Sequence, residues 1–375
     1  MVGAPIAGVT LEVVSVAIDV SRVRADGFSF HSSAMAELIS VLHLLVEPGH
    51  HLNRTAWVAS VMDAIEPHLF DQILDLDYLW RTSRADMFLP AQPSDTLAGD
   101  LDALDALDDE TWVSAALITS SCGTLRLHRG LQSPLVDPSA AAVARERAAL
   151  RGPRQVELVE SIMADPGRYR SRVRRILQDS DDAFFADVWA RVRPYLVADA
   201  RQKSDVYASE GLKGALSALS PAVSTDAGMT RIIVDKLQDD ASAAVDGVTF
   251  IPTVFGHPHL LVVHAPRWTP VIQYPIVLSQ NATHPASVDV VQRRLRALDN
   301  PVRMRLARSL IRGPKTTSEL AELWGLGAPE VSRHLSTLKE ADLVIATRRG
   351  RYVNYELDTV TTGSLGHDLV QALLR

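Results

Sequence analysis

Apolar side chains recur at helical spacing through the first 220 positions of this 375-residue chain. Met35, Leu38, Ile39, Leu42 and Leu45 fall on one stripe, with Ser32-Ser33 ahead of it and Pro48-Gly49 closing it. Further helices are predicted over residues 55–65, 70–79, 140–149, 157–163 and 208–219. Residues 95–112, with Leu97, Leu101, Leu104 and Leu107, predict one acidic amphipathic helix whose carboxylates form a solvated face. Residues 171–200 carry a broad stripe of Val173, Ile176, Leu177, Phe184, Phe185, Val188, Trp189, Val192 and Leu196, which Pro194 is expected to kink or end. Residues 9–20 alternate loosely and suggest a strand or an irregular opening.

The pattern changes near Thr230. Segments 231–234, 247–252, 260–264 and 270–274 are short, β-branched or aromatic, and separated by Gly- and Pro-containing turns. They predict a small antiparallel meander. Residues 279–286 are polar with a late proline and read as a linker. The helical period then returns over 290–298. Pro301 opens the next helix, with Val302, Leu306, Leu310 and Ile311 as its stripe and Arg303, Arg305 and Arg308 mostly off it.

Thr316-Thr317-Ser318-Glu319 has the spacing of a capping box and starts a short helix through Trp324, with Leu320 and Leu323 inward. Gly325-Leu326-Gly327 makes a turn into a helix that starts near Pro329 and reaches Ala341. In that helix Val331, Leu335 and Leu338 form the buried face. Ser332, Arg333, Ser336 and Thr337 lie opposite, and His334 flanks them. Residues 343–347 and 352–357 then form a hairpin whose tip holds Arg348, Arg349 and Arg351. Two helices joined by a glycine turn and followed by a basic hairpin are a winged helix-turn-helix, which seats its second helix in a major groove.

The expected fold is therefore mainly α with a small antiparallel β portion. An α-helical N-terminal body with a short β meander (1–278) precedes the linker (279–286) and a winged helix-turn-helix domain with a terminal helix (287–375). Charge follows this division. The whole chain carries −7, yet residues 287–375 hold 14 Lys and Arg against 10 Asp and Glu, a net of +4 that leaves −11 on the rest. A basic module on an acidic body is the asymmetry expected when one domain faces phosphate. The single cysteine, Cys122, excludes an intrachain disulfide and fits a reducing cytoplasm. Neither a membrane-spanning run nor a secretory signal is expected.

Residues 298–303, 318–321, 331–338 and 349–355 together resemble an ArsR-type winged-helix repressor over about 287–358. The resemblance implies a cytoplasmic homodimer on a two-fold operator of double-stranded DNA. Ser332, Arg333, His334 and Thr337 would contact DNA, with Ser336 beside them and Arg348, Arg349 and Arg351 gripping phosphates. The sequence departs from the family at Ala328, Pro329 and Glu330, so no operator sequence transfers. Metal-sensing members use cysteine pairs near the helix before the turn, or histidine and acid clusters on the terminal helix. Residues 318–323 hold no cysteine, and His367-Asp368 is too little for a site. Leu365, Leu369, Val370, Leu373 and Leu374 instead read as a dimer or core stripe.

The N-terminal body offers an effector or interaction domain for an unidentified small molecule. The Gly256-His257-Pro258-His259 turn with His264 is its most metal-like cluster, but these read as turn and strand histidines, as does the loop pair His50-His51. Neither metal nor cofactor is expected. Trp57, Trp80, Trp189 and Trp268 read as core packing rather than a pocket. Nucleophile, P-loop and dinucleotide signatures are all missing, so an enzyme is the weakest reading. The alternative to a DNA-binding regulator is a ligand- or protein-binding module whose winged helix serves in assembly.

Overall fold

The computed structural model describes residues 15–51, 54–81, 84–118, 132–150, 152–236, 240–265, 268–276, 286–311, 313–349 and 352–374. The chain forms two compact units, Met1–Ala282 and Thr283–Arg375. Cys122, most of the 279–286 segment and Arg351 lie outside the described residues.

In the first unit, β1 (Ser15–Asp19) and β2 (Phe28–Phe30) lead into α1 (Ala34–Val46). Ser33 caps α1, its hydroxyl accepting from the Ala36 amide at 3.1 Å. Every residue from Ala34 to Leu45 is buried, so α1 is a central helix with no solvent face. Three of those residues, Glu37, Ser40 and His43, are polar. Around α1 lie α2 (Thr55–Ala64), α3 (Pro67–Asp75), α4 (Leu97–Asp105), α5 (Asp109–Ile118), α6 (Pro138–Ala149), α7 (Pro153–Ala164), α8 (Pro166–Ser180) and α9 (Ala186–Leu219). Trp80, Phe88, Trp112 and Phe185 fill the space among them, each fully buried.

Several expected boundaries shift for identifiable reasons. The 95–112 segment is two helices, because the Asp108 carboxylate accepts from the Thr111 amide at 2.8 Å and caps a new start. Its acidic face is not simply solvated: Arg174 bridges Asp102 and Asp105, and Arg170 meets Asp109. α3 begins at Pro67 rather than residue 70, since proline fits the first turn. Pro194 neither ends nor breaks α9, which stays helical to Gly211, where a φ of 72° produces the kink.

The expected antiparallel meander is not formed. β3 (Val223–Thr225) and β4 (Arg231–Asp235) join β1 and β5 (Asp240–Ala241) in the order β3-β4-β1-β5, with Ile18 opposite Ile232. β6 (Val248–Thr253), β7 (Leu261–Val263) and β8 (Val271–Pro275) join β2 in the order β2-β6-β8-β7. Within that sheet β2, β6 and β8 are parallel and only β7 runs against β8. β6 and β8 are buried at every position, as strands covered on both faces must be. Gln273 on β8 donates to the Ala36 carbonyl and the Ser40 hydroxyl, both at 3.2 Å, and so ties this sheet to α1.

The second unit contains α10 (Val288–Leu298), α11 (Pro301–Leu310), β9 (Lys315–Thr316), α12 (Thr317–Trp324), α13 (Ala328–Glu340), β10 (Val344–Arg349), β11 (Tyr352–Leu357) and α14 (Thr359–Leu374). Its core is Leu306, Leu310, Leu320, Val331, Leu335, Leu338 and Leu343, with Val344 and Leu357 at the base of the hairpin. Ile311 and Leu323, both expected inside, are 60% and 57% exposed. Ile311 caps the C-terminus of α11 and Leu323 sits in the last turn of α12, each rotated past the buried stripe. The helical body, small β portion and C-terminal winged helix of the expected fold class are all present. Among the described residues, no helix is long and apolar enough to cross a membrane.

Candidate nucleic-acid interface

Two capped helices fix the geometry of the site. The Asn300 side chain accepts from the amides of Val302 and Arg303 and starts α11 at Pro301. Thr316 and Glu319 form the expected capping box: the Thr316 hydroxyl accepts from the Glu319 amide at 3.3 Å, and Glu319 accepts from the Thr316 amide at 2.6 Å. These contacts also hold the Glu319 carboxyl below its ordinary range. At the end of α12, Gly325 takes the left-handed conformation with φ 63°. A side chain there would be strained, and the turn it makes lets the Leu326 amide close onto the Ala321 carbonyl at 3.0 Å.

The turn delivers α13. Val331, Leu335 and Leu338 are completely buried. At about 100° per residue, Arg333 lies opposite the centre of that stripe, with Thr337 and Ser336 on either side of it and Ser332 nearer the edge. Ser332, Arg333 and Ser336 are exposed and Thr337 is half-buried. His334 sits at the flank, half-buried. His334 lies 3.9 Å from Glu330 one turn earlier, and the Thr337 hydroxyl donates to the Arg333 carbonyl at 3.2 Å. Thr337 also borders a shallow cleft of about 440 Å³ shared with Arg293, Arg296 and Arg303. α13 thus presents Ser332, Arg333, Ser336 and Thr337 on the side away from its core, with the Thr337 hydroxyl turned onto its own helix.

The hairpin follows directly. β10 and β11 pair antiparallel from Val344 opposite Leu357 to Arg349 opposite Tyr352, and β9 extends the sheet with Thr316 opposite Asn354. Arg348 is exposed near the tip. Arg349 is the last residue of β10, and the expected tip residue Arg351 falls outside the described residues. Two further arginines of this unit hold its helices together. Arg303 donates to the carbonyls of Arg296 and Ala297 at the end of α10, and Arg294 meets the buried Asp368 of α14 at 2.8 Å. On α14, Val370 and Leu373 are exposed while Leu365, Leu369 and Leu374 are half-buried.

In the first unit the histidines fall differently from their sequence grouping. His264 meets Asp240 at 3.1 Å beside a cavity of about 640 Å³ that Trp268 also lines. His259 instead joins His51 and the buried His43. The sequence reading passed over His43 because it sits within an apolar helix, and a polar residue at such a position was the available signal. Of the four tryptophans expected to pack in the core of this body, Trp80 is fully buried, Trp57 packs on Phe255 and Trp189 on Phe185, while Trp268 only partly enters the core.

A helix-turn-helix whose polar outer face carries Arg333, with a hairpin wing and flanking helices, defines the class: an ArsR-like winged helix-turn-helix. Comparison with known proteins agrees. A helix-turn-helix domain model matches residues 298–345, and a second model, described as a family of unknown function (DUF5937), matches residues 14–280. The chain belongs to the DUF5937 family and carries an ArsR-like winged helix-turn-helix as its C-terminal quarter.

Three curated relatives share this quarter. The probable mercury resistance operon repressor of Streptomyces lividans is 39% identical over 75 residues, which is 20% of this chain and 58% of that protein. The transcriptional repressor SdpR of Bacillus subtilis is 31% identical over 64 residues, 17% of this chain and 71% of that protein. The HTH-type transcriptional regulator CmtR of Mycobacterium bovis is 42% identical over 80 residues, 21% of this chain and 67% of that protein. Similar solved structures include an ArsR family transcriptional regulator, at 22% identity and a TM-score of 0.22 over 23% of this chain and 89% of that one. Another is the homodimeric winged helix-turn-helix domain of a possible ArsR-family regulator from Mycobacterium bovis, at 28% identity and a TM-score of 0.21 over 26% of this chain and 89% of that one.

Proposed function

We propose that this protein is a homodimeric, DNA-binding transcriptional repressor, with α13 in the major groove and the β10–β11 hairpin against the adjoining backbone. The observation that carries the reading is the placement of Arg333, opposite a fully buried Val331–Leu335–Leu338 stripe and followed by a hairpin bearing Arg348. A helix anchored on one side by three core residues, with its guanidinium and hydroxyls on the other, is a rigid platform for groove contacts. In this reading Ser332, Arg333 and Thr337 read or position bases with Ser336 beside them, and Arg348, Arg349 and Arg351 bind phosphates. His334, at the flank of α13, is a further DNA contact. The repressors among the curated relatives support the direction of regulation.

Dimerisation rests on the ArsR-type resemblance and on α14, whose Val370 and Leu373 form an apolar face that a second copy would cover. The domain division proposed is an N-terminal effector or interaction body over 1–278, a linker over 279–286 and the DNA-binding domain over 287–375. The cavity beside His264 gives that body room for a small molecule.

The test is an electrophoretic shift with DNA from upstream of the protein's own gene, at low and moderate salt. A discrete complex that survives moderate salt and excess nonspecific competitor supports the reading. A module used only in assembly would give no discrete complex under either condition.

A further inference from the structure

Three buried histidines converge in the first unit, where the Val254–His259 loop and the Pro48–His51 turn meet the end of α1. His43, His51 and His259 are 1%, 1% and 7% exposed, and one ring nitrogen of each lies within 4.8 Å of the other two. The ring centroids are 4.8–5.4 Å apart, and each pair of rings is tilted by 71–81°, so the edges rather than the faces meet. His43 Nε2 lies 3.1 Å from His259 Nε2.

The outer nitrogens of His43 and His51 settle which of their atoms point inward. His43 Nδ1 is 2.9 Å from the Trp80 carbonyl, and His51 Nδ1 is 2.6 Å from the His257 carbonyl. A carbonyl only accepts, so both Nδ1 atoms carry the proton. In the neutral ring each Nε2 is then a lone pair directed at the cluster. A ring N–H bound to a backbone carbonyl is also what fixes the orientation and tautomer of metal-ligating histidines.

We propose that His43, His51 and His259 form a three-histidine site for a divalent transition-metal cation, Zn²⁺ being the best match to neutral imidazole donors. Tetrahedral Zn–N bonds of about 2.0–2.1 Å place ligand nitrogens about 3.3 Å apart. The His43–His259 pair is already near that spacing. With every pair inside 4.8 Å, the widest must close by at most about 1.5 Å, which side-chain rotation can supply. Among the described residues no cysteine or carboxylate completes the group. The fourth position therefore goes to water or a small anion, the pattern of a three-ligand site with one open coordination position. The buried Arg84 acts electrostatically on His43; its charge opposes a cation there, so the open position goes best to an anion such as hydroxide or chloride that offsets it.

This site is independent of the DNA-binding reading and is tested on the full chain without DNA. Chelator-treated protein titrated with Co²⁺ should develop the visible absorption of a tetrahedral ion at one equivalent, and dialysis against Zn²⁺ should leave one bound metal. His51→Gln and His259→Gln should each weaken binding by more than the roughly 10–100-fold that loss of an outer-shell partner costs. His264→Gln, outside the cluster, should bind like wild type. X-ray absorption of the wild-type zinc form, which needs no variant to fold, should show about three imidazole shells. Failure of wild type to retain stoichiometric metal overturns the proposal. So does a sulfur-dominated shell, or wild-type affinity in both folded glutamine variants.

Discussion

Removing Arg333 tests the groove-facing geometry with little risk to the fold. Its side chain is exposed and lies opposite the buried stripe of α13, so Arg333→Ala leaves Val331, Leu335 and Leu338 untouched. Arg333 faces bases in this reading, so its loss should cost about 1–3 kcal/mol of discrimination at each half-site and leave the salt slope nearly unchanged. Arg348→Ala removes a phosphate contact instead, twice in the proposed dimer, so the slope of log affinity against log salt should flatten by about 0.9 per contact, or about 1.8 in total. Across a fourfold rise in salt, from 50 to 200 mM, that is about 1 logarithmic unit of salt sensitivity, or about tenfold. Fluorescence anisotropy on a labelled operator at four salt concentrations reads affinity and slope together. With a wild-type circular dichroism spectrum, undiminished discrimination in Arg333→Ala would refute the placement of the helix, and a wild-type slope in Arg348→Ala the placement of the hairpin.

Three further outcomes follow from the packing. Leu335→Ala empties a fully buried position in the small core of the second unit and should cost about 2–5 kcal/mol, read by chemical denaturation of that unit. Leu373→Glu places charge on the exposed face of α14 and should shift the protein from dimer to monomer in light scattering; an unchanged mass removes that face from the interface. Burial pushes the Glu37 carboxyl up to about 7 although its Oε1 accepts from the Val254 and Phe255 amides. The folded state then holds a proton that the unfolded state releases near its ordinary value. This contribution is complete below about 4.5, declines as pH rises, and is gone above about 7. Asp86, likewise raised to about 7 by burial, acts in the same direction. Glu37→Gln should therefore stabilise the protein at pH 8 and flatten the fall in stability between pH 4.5 and 7. An unaltered profile would show that Glu37 does not titrate there.

The C-terminal unit was legible because its information is local. Capping at Thr316, the turn at Gly325 and the Val331–Leu335–Leu338 spacing each fix geometry within a few residues. Ile311 and Leu323 were misassigned for the opposite reason: apolar identity in a last helical turn does not say whether the turn still faces the core. The N-terminal sheets needed non-local information. β6 and β8 read as meander strands, yet β2, more than 200 residues earlier, pairs with β6 in parallel, and β1 takes β4 into a different sheet. Short buried runs carry no signal for partner or direction. The histidine cluster was invisible for the same reason. His43 and His259 lie 216 positions apart and meet only because the Val254–His259 loop returns over α1.

The most direct test of the account is binding-site selection from random duplex DNA with the purified full chain. The account predicts one enriched motif with two-fold symmetry, its half-sites about 10 base pairs or a multiple of that apart, bound about 10³-fold or more over random sequence at physiological salt. Selection that enriches nothing, or yields binding at the nonspecific level alone, would contradict it.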